Sequence, residues 1–157
     1  MAVRLSAVET VVSPSFRTFW LHARADGYLA DMQAAGRLAD AGDVGFSGSA
    51  VAVRTVADPG SVRAAVEIWS RRPLLTGDEA PFDYAVEGEI DLSTGQWCID
   101  ESQDSAVQAG TPLPDGAGAY GVRVTAYHEP DEQYRLQIWP LGDTVDGTAT
   151  GWSNASR

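Results

Sequence analysis

The chain has 157 residues, a length typical of one domain that buries a core without help from a metal or a disulfide. Its hydrophobic fraction of 44% excludes wholesale disorder, and its single cysteine, Cys98, excludes an internal disulfide. The net charge of -11 argues against binding to nucleic acid or to anionic membranes.

The beginning of the chain carries no pattern of a secretory leader. Residues 1–12 contain no apolar run of about seven residues or more. Nowhere does the sequence approach the roughly 18 consecutive apolar residues of a membrane-spanning helix. We therefore expect a cytoplasmic protein with no membrane segment.

Alternation of apolar and polar residues, the pattern of β-strands, dominates the chain. The first predicted strand covers residues 16–21, just after Pro14. Residues 26–41 are the one helix-like stretch, with Asp26 as a candidate cap and Gly42 as a candidate end. Because the apolar stripe of this stretch is thin, we expect a short helix or an irregular segment there.

Later segments predict three β-hairpins and one short edge strand at 106–109. The paired segments are 50–56 with 62–69, 82–92 with 96–99, and 119–127 with 134–139. The first turn, Asp58-Pro59-Gly60, has a physical cause, since Pro fixes φ and Gly adopts positive φ.

These elements predict an all-β (mostly) fold, an antiparallel β-sandwich of about seven to eight strands with one short helix or irregular segment near residues 26–41. A small open barrel is the alternative. The domain is expected to span residues 1–141. Residues 142–157 show no pattern and are expected to form a flexible C-terminal tail.

Few residues suggest catalysis or metal binding. The only His and Cys residues, His22, His128 and Cys98, lie far apart in the sequence, whereas a zinc site needs three or four such ligands. Cys98 with a His would form a nucleophile and base, but its place between Trp97 and Ile99 favours a buried small residue. We expect no enzyme activity, no cofactor and no metal.

Acidic residues concentrate in one segment of the chain. Between Pro73 and Val122 the sequence has no basic residue but ten acidic ones. Of these, Glu87, Glu89 and Asp91 occupy alternate positions of a predicted strand, and so share one face at spacings of about 7 Å. They are candidate ligands for Ca²⁺, candidate paired acids as in glycosidases, or the solvated face of a half-buried strand. No calcium-loop motif supports the first, so the solvated face is the simplest interpretation.

Four tryptophans also fall on predicted strands. They are Trp20, Trp69, Trp97 and Trp139. Trp69 and Trp139 share strand faces with charged residues, which is typical of the rim of a binding surface. The alternative is that the indoles are buried in the core or under a loop.

Residues 44–140 also carry a resemblance to a known group. Its motifs are Leu113-Pro114, Gly118-Ala119-Tyr120-Gly121-Val122-Arg123-Val124 and Tyr134-Arg135-Leu136-Gln137-Ile138-Trp139-Pro140. This pattern resembles the competence protein J-like group of small bacterial proteins. The resemblance implies a β-sandwich and an inhibitor or immunity-type role toward a nuclease. It transfers no functional residues, because the matching motifs are structural.

Charge and resemblance together predict a non-enzymatic interaction protein that binds a basic protein such as a nuclease or toxin. A nuclease holds phosphates with Arg and Lys, so an acidic surface can compete for the same groove. The expected contact residues are Glu87, Glu89, Asp91, Asp78, Glu79, Asp83, Asp100 and Glu101. The alternatives are a small-molecule, sugar or calcium-binding β-sandwich, and a structural assembly component. The oligomeric state does not follow from the sequence.

Overall fold

The computed structural model describes residues 1–14, 16–57, 60–75, 81–102 and 105–142, and only the backbone of 102 and 105–110. Within these ranges the elements are β1 (Arg4–Val12), β2 (Thr18–His22), α1 (Tyr28–Gly42), β3 (Val44–Ser47), β4 (Ala50–Arg54), β5 (Val62–Trp69), β6 (Tyr84–Leu92), β7 (Gln96–Ser102), β8 (Ser105–Pro112), β9 (Gly118–Tyr127) and β10 (Gln133–Pro140). The predicted mostly-β class is confirmed. Apart from Gly142, the predicted tail lies outside the described residues.

The strands form two five-stranded sheets. Sheet A has the order β1-β5-β10-β9-β6, and sheet B has the order β3-β4-β2-β7-β8. Neighbouring strands are antiparallel except β5 and β10, which are parallel. The sheets are thus mostly antiparallel, in line with the prediction, and the parallel pair of β5 and β10 is the departure from it. A parallel pair needs a long crossover connection, and here the chain visits sheet B between β5 and β10.

Only one of the three predicted hairpins forms. Strands β9 and β10 pair antiparallel as expected, from Gln133 opposite Tyr127 to Pro140 opposite Tyr120. The other two predicted pairs, β4 with β5 and β6 with β7, are divided between the two sheets. Alternation shows which side chains face the core, but a short turn can lead either to a partner strand or across to the other sheet. The predicted edge strand at 106–109 lies within β8, whereas β1 and β3 were not predicted.

A single cluster of buried apolar side chains draws members from both sheets. Sheet B contributes Phe19, Leu21 and Ile99, each with 0% exposure, and sheet A contributes Val124 and Leu136 at the same exposure. Each such side chain stabilises the fold by about 1.5–3 kcal/mol when removed from water. This shared core holds the two sheets together. It also determines which face of each strand points away from the core and is available for binding.

Helix α1 covers the other face of sheet B. The segment predicted as a short helix or an irregular segment is a helix of 15 residues that ends at Gly42 as expected and follows Gly27 rather than a capping Asp26. Its buried residues, Met32, Ala35 and Ala39, are spaced at helical intervals and pack on alanines of β4. The apolar stripe is thin because the side chains of Ala35 and Ala39 are small, and small side chains let the helix lie close to the sheet. Among the described residues, no helix combines the length and apolar character needed to cross a bilayer.

The edges of the two sheets meet along β3 and β6. The backbone N–H of Asp91 in β6 donates to the carbonyl of Gly48, just after β3, at 2.9 Å. Gly88 of β6 lies against the ring of Phe46, where a side chain would not fit. Strand β6 is thus the edge of sheet A and lies beside the edge of sheet B.

We expect Gly45→Ala to destabilise the protein by about 2 kcal/mol, because added volume in a closed contact forces the backbone to shift. A Cβ at Gly45 would lie 2.7 Å from the backbone nitrogen of Ala39 in α1. Gly42→Ala is the matched control, since a Cβ there meets nothing within 4 Å. Urea unfolding of both variants makes the comparison. Equal stability of the two would contradict the close approach of helix and sheet.

Candidate functional site

The predicted acidic row lies on β6, and its three members share one face as expected. In the register with β9, Glu87 is opposite Arg123, Glu89 opposite Gly121 and Asp91 opposite Ala119. Asp91 is exposed, whereas Glu87 and Glu89 are half-buried. The face therefore changes from covered to open along the strand, with its most accessible carboxylate at Asp91.

Glu87 is paired with two arginines rather than left as open negative charge. It accepts hydrogen bonds from Arg72, at 3.0 and 2.9 Å, and from Nε of Arg123 at 2.8 Å. These are the arginines that bound the acidic segment at its two ends in sequence. The interpretation that this segment lacks compensating charge is wrong for Glu87, because the fold brings both ends of the segment to it.

Arg123 is a buried cation with a complete set of partners. Its side chain is 1% exposed, and it also donates to Gln137 Oε1 at 2.9 Å and to the carbonyl of Pro73 at 2.7 Å. Its guanidinium lies 5.9 Å from the ring centre of Trp139. A buried charge is tolerated only when paired and hydrogen-bonded in this way, so Glu87 contributes to the structure of sheet A.

Glu67 is the centre of a second set of contacts on the same face. Its carboxylate accepts from Trp69 Nε1 at 2.9 Å, Arg135 Nε at 3.1 Å and Gln137 Nε2 at 3.2 Å. Burial acts to raise the pKa of Glu67, but the bonds from Arg135 and Trp69 outweigh it and the pKa is lowered. Gln137 links this set to Arg123, so the middle of the face is a continuous network of satisfied polar groups.

The four tryptophans in the described residues do not form an open stacking platform. Trp97 and Trp139 are 1% and 2% exposed, and the half-buried Trp20 donates its Nε1–H to the carbonyl of Met32 under α1. Trp69 is half-buried and tied to Glu67. The alternative of buried indoles therefore describes Trp97 and Trp139, and the rim interpretation fails for Trp139.

A groove lies where the edges of the two sheets meet. It has a volume of about 390 Å³ and is lined by Leu38 of α1, by residues 44–48 of β3 and the following turn, and by Glu87, Gly88 and Glu89 of β6. Leu38 is 52% exposed. The groove therefore combines carboxylates on one wall with an accessible apolar side chain on the other.

The remaining predicted contact residues are dispersed. Asp83 accepts the backbone N–H of His128 at 2.7 Å, and Glu101 accepts that of Ser13 at 2.5 Å. Asp100 has 0% exposure and belongs to sheet B, so it lies beneath the surface. Asp78 and Glu79 lie outside the described residues. The structure thus brings together Glu87, Glu89 and Asp91, and places Asp100 and Glu101 on the other sheet.

A buried polar cluster that the sequence analysis missed lies under the start of α1. It consists of His22, Cys98 and Asp100, which are 0%, 3% and 0% exposed. In the pairing of β2 with β7, His22 is directly opposite Cys98, and Asp100 follows two positions later on the same face. His22 Nε2 lies 2.5 Å from Asp100 Oδ2 and 3.3 Å from Cys98 Sγ.

Neighbouring charges and rings complete this cluster. Arg24 donates to both oxygens of Asp100, at 3.1 and 3.2 Å, and the ring of Tyr28 stacks on that of His22 at 5.5 Å. Burial acts to lower the pKa of His22, but the hydrogen bonds to Asp100 and Cys98 raise it to about 9. The raised pKa favours the protonated imidazole of His22 near neutral pH, with Asp100 and Cys98 as its hydrogen-bond partners.

This arrangement differs from a catalytic triad. In a triad the nucleophile and the carboxylate bond to opposite nitrogens of the imidazole, so that the carboxylate orients the base. Here both Cys98 and Asp100 face Nε2, while Nδ1 lies 3.3 Å from the carbonyl of Ala23. The burial of free Cys98 agrees with its interpretation as a buried residue. Cys98 and His22 are far apart in the sequence but are neighbours in the structure. The sequence signal for the cluster was the Cys-x-Asp spacing of Cys98 and Asp100, which places both side chains on one face of a strand.

Comparisons with solved structures show which known proteins have a similar fold. In the described residues the chain is a mostly-β protein with two five-stranded sheets and one helix, and its fold is similar to that of two solved structures. One is the crystal structure of ComJ, inhibitor of the DNA-degrading activity of NucA, from Bacillus subtilis. It has a TM-score of 0.56 and 10% sequence identity, over 89% of this chain and 98% of that one. The resemblance drawn from sequence is confirmed at the level of the fold.

A second similar structure is described as crocagin biosynthetic gene J. It has a TM-score of 0.58 and 14% identity, over 86% of this chain and 97% of that one. No protein-family model matches the sequence, and no curated protein matches it either. Identities this low show a common fold and leave the residues of the site to be argued from this structure.

We expect Asp100→Asn to lower the free energy of unfolding by about 3 kcal/mol, since it leaves the buried His22 and the guanidinium of Arg24 without their carboxylate. The control is Asp91→Asn, an isosteric change at an exposed position, which should stay within about 0.5 kcal/mol of the wild type. Chemical denaturation at pH 7 compares the two. A loss at Asp100 no larger than that at Asp91 would show that the buried pairing contributes nothing.

We expect Glu67→Gln to destabilise the protein near pH 7 and much less in acid. The pKa of Glu67 is lower folded than unfolded, so its stabilisation is present above the unfolded value of 4.5. That stabilisation is lost as pH falls below 4.5 and through the folded pKa. The groups facing it are Arg4, Arg135, Trp69 and Gln137. Unfolding free energies of variant and wild type between pH 7 and pH 3 should converge; a constant difference would contradict the pairing.

Proposed function

We propose that this protein is a non-enzymatic inhibitor or immunity-type protein that binds a basic protein partner, such as a nuclease or toxin, at the edge formed by β6 and β3. The scaffold in this proposal is the predicted β-sandwich, in which the shared core leaves the outer faces and edges for binding. We call the surface made by Glu89, Asp91 and the groove beside residues 44–48 the acidic edge.

The observation that carries the proposal is the division of charge along β6. Glu87 is neutralised by Arg72 and Arg123. Asp91, at the other end of the row, is exposed, and its backbone N–H donates to Gly48, which lines the groove. With a net charge of -11 on the chain, this edge attracts cationic surfaces and repels phosphates. A Lys or Arg of a partner would place its charge near the carboxylates and its aliphatic stem on Leu38.

The fold adds independent support. ComJ, whose structure shares this architecture, is described as an inhibitor of the DNA-degrading activity of NucA. An enzyme that degrades DNA presents cationic side chains to the phosphate backbone. An acidic edge on the same type of scaffold offers a competing negative surface, which is the simplest mechanism of inhibition for this chain.

The alternatives from the sequence have less support. Calcium needs six to eight oxygen ligands, and one of the three carboxylates in the row is already held by two arginines. A sugar site needs accessible aromatic faces, and Trp97 and Trp139 are buried. The alternative that the protein is a structural assembly component is tested by light scattering, which distinguishes a monomer from a self-associated species.

The experiment begins with isolation of the partner and ends with an activity assay. The immobilised protein is exposed to a lysate of its source organism, and a protein that is retained at low salt and released at high salt is purified. Isothermal titration then measures its affinity, and a DNA-degradation assay measures its inhibition. We expect one basic nuclease or toxin, bound in a defined stoichiometry and inhibited in proportion to the fraction bound.

The double variant Glu89→Gln/Asp91→Asn tests the surface. We expect its affinity for the partner to fall about ten- to a hundredfold, which corresponds to about 1.4–2.8 kcal/mol. The matched control is Glu129→Gln/Asp131→Asn, which removes the same charge from two exposed residues between β9 and β10. Its affinity should change less than about threefold. Equal losses in both variants would indicate a non-local charge effect, and no loss in either would place the binding surface elsewhere.

A further inference from the structure

We propose that His22, Cys98 and Asp100 form a binding site for one divalent transition-metal ion of the zinc class. This site lies on sheet B beneath the start of α1 and shares no residue with the acidic edge formed by β6 and β3. Its failure would therefore leave the proposed function untouched, and the reverse also holds.

The donor atoms already converge on one point. The ligand atoms of the three side chains all lie within 4.8 Å of one another. Ligands of a tetrahedral zinc ion lie about 3.4 Å apart, given metal–ligand distances of roughly 2.0–2.3 Å. The 3.3 Å between His22 Nε2 and Cys98 Sγ fits this spacing directly. The 2.5 Å contact between His22 and Asp100 would open by about 1 Å, through rotation of the carboxylate.

The strand pairing makes the cluster rigid. His22 and Cys98 are register partners on adjacent antiparallel strands, and Asp100 is two residues beyond Cys98, so the backbone alone places three ligands on one face. Sites built on strands hold their ligands more precisely than sites built on loops. Strands β2 and β7 thus place all three ligands without a contribution from any loop.

The surrounding contacts are those that metal ligands require. The other ring nitrogen of His22, Nδ1, lies 3.3 Å from the carbonyl of Ala23, which can accept its proton and fix the tautomer with Nε2 free for a metal. Arg24 holds both oxygens of Asp100, and Tyr28 stacks on the imidazole. Such outer contacts orient the ligands before the ion arrives.

A bound ion would be held by a neutral imidazole, a thiolate and a carboxylate, because nitrogen and sulfur coordinate a metal only in their deprotonated forms. Protons carried by His22 Nε2 and Cys98 Sγ would leave to solvent as the ion enters, so metal uptake is coupled to proton release.

The donor set selects the class of ion. One thiolate, one imidazole and one carboxylate suit Zn²⁺ and its spectroscopic substitute Co²⁺, whereas Ca²⁺ and Mg²⁺ prefer oxygen alone. Three protein ligands leave a fourth position for water, as in zinc sites with an open coordination position. The burial of all three ligands favours a stabilising role over a catalytic one.

The test uses the full chain, freed of metal by a chelator and titrated with Co²⁺. We expect one Co²⁺ per chain, with a thiolate-to-cobalt charge-transfer band in the near ultraviolet and the visible bands of tetrahedral cobalt. Both should disappear on addition of Zn²⁺. We also expect Zn²⁺ at a hundredfold excess over its dissociation constant to raise the melting temperature by several degrees.

The matched variants separate this site from adventitious binding. Cys98→Ser keeps the size of the side chain and should abolish the charge-transfer band, while His128→Gln, at the only other histidine, should leave band and stoichiometry unchanged. Should Cys98→Ser fail to fold, protection of Cys98 in the wild type by Zn²⁺ against a thiol reagent serves as the second readout. Absence of the charge-transfer band in the wild type, or its persistence in Cys98→Ser, would overturn the proposal.

Discussion

Strand β2 is buried on both of its faces, and much of the structure depends on this constraint. Phe19 and Leu21 point into the core shared by the two sheets, while Trp20 and His22 point toward α1. A strand covered on both sides has no water for its polar groups, so each must find a partner within the protein. The indole N–H of Trp20 donates to the carbonyl of Met32 in α1, and His22 forms hydrogen bonds with Asp100 and Cys98. The helix and the buried cluster are thus two consequences of one constraint.

The outer face of sheet A is covered differently. No helix packs on it in the described part of the chain; long charged side chains and the segment around Pro73 lie over the strands instead. Arg123 and Glu67 are satisfied by neighbours on β6, β10 and β5, which cancels charge in the middle of the sheet. Negative charge therefore remains accessible at the edge, near Asp91. The proposed binding surface follows from where the internal pairing stops.

The sequence predicts part of this structure well. The mostly-β class, the hairpin of β9 and β10 and the shared face of Glu87, Glu89 and Asp91 all follow from alternation, which reports directly on the direction of side chains. The resemblance based on the last third of the chain agrees with the shared fold of ComJ. The local sequence pattern was sufficient to predict features that depend on residues close together in the chain.

Alternation does not report which strands pair, and the errors share this cause. Strands β4 and β5 are close in sequence but belong to different sheets, and β5 pairs with the distant β10. The helix was underestimated because Ala35 and Ala39 bury little area, although small side chains are what a close helix–sheet contact needs. Neither the pairing of Glu87 with Arg72 and Arg123 nor the meeting of His22 with Cys98 is visible without the register.

The central claim, that the acidic edge is the contact surface, is tested most directly by amide hydrogen exchange of the protein alone and saturated with its partner. We expect slower exchange on binding in residues 44–48 and 84–92, with little change in β1 or in the residues of α1 other than Leu38. The amides of β6 that face the groove should show the largest effect, since a docked chain excludes water there. Protection confined to β1 or to the outer face of α1, with residues 84–92 unchanged, would contradict the account.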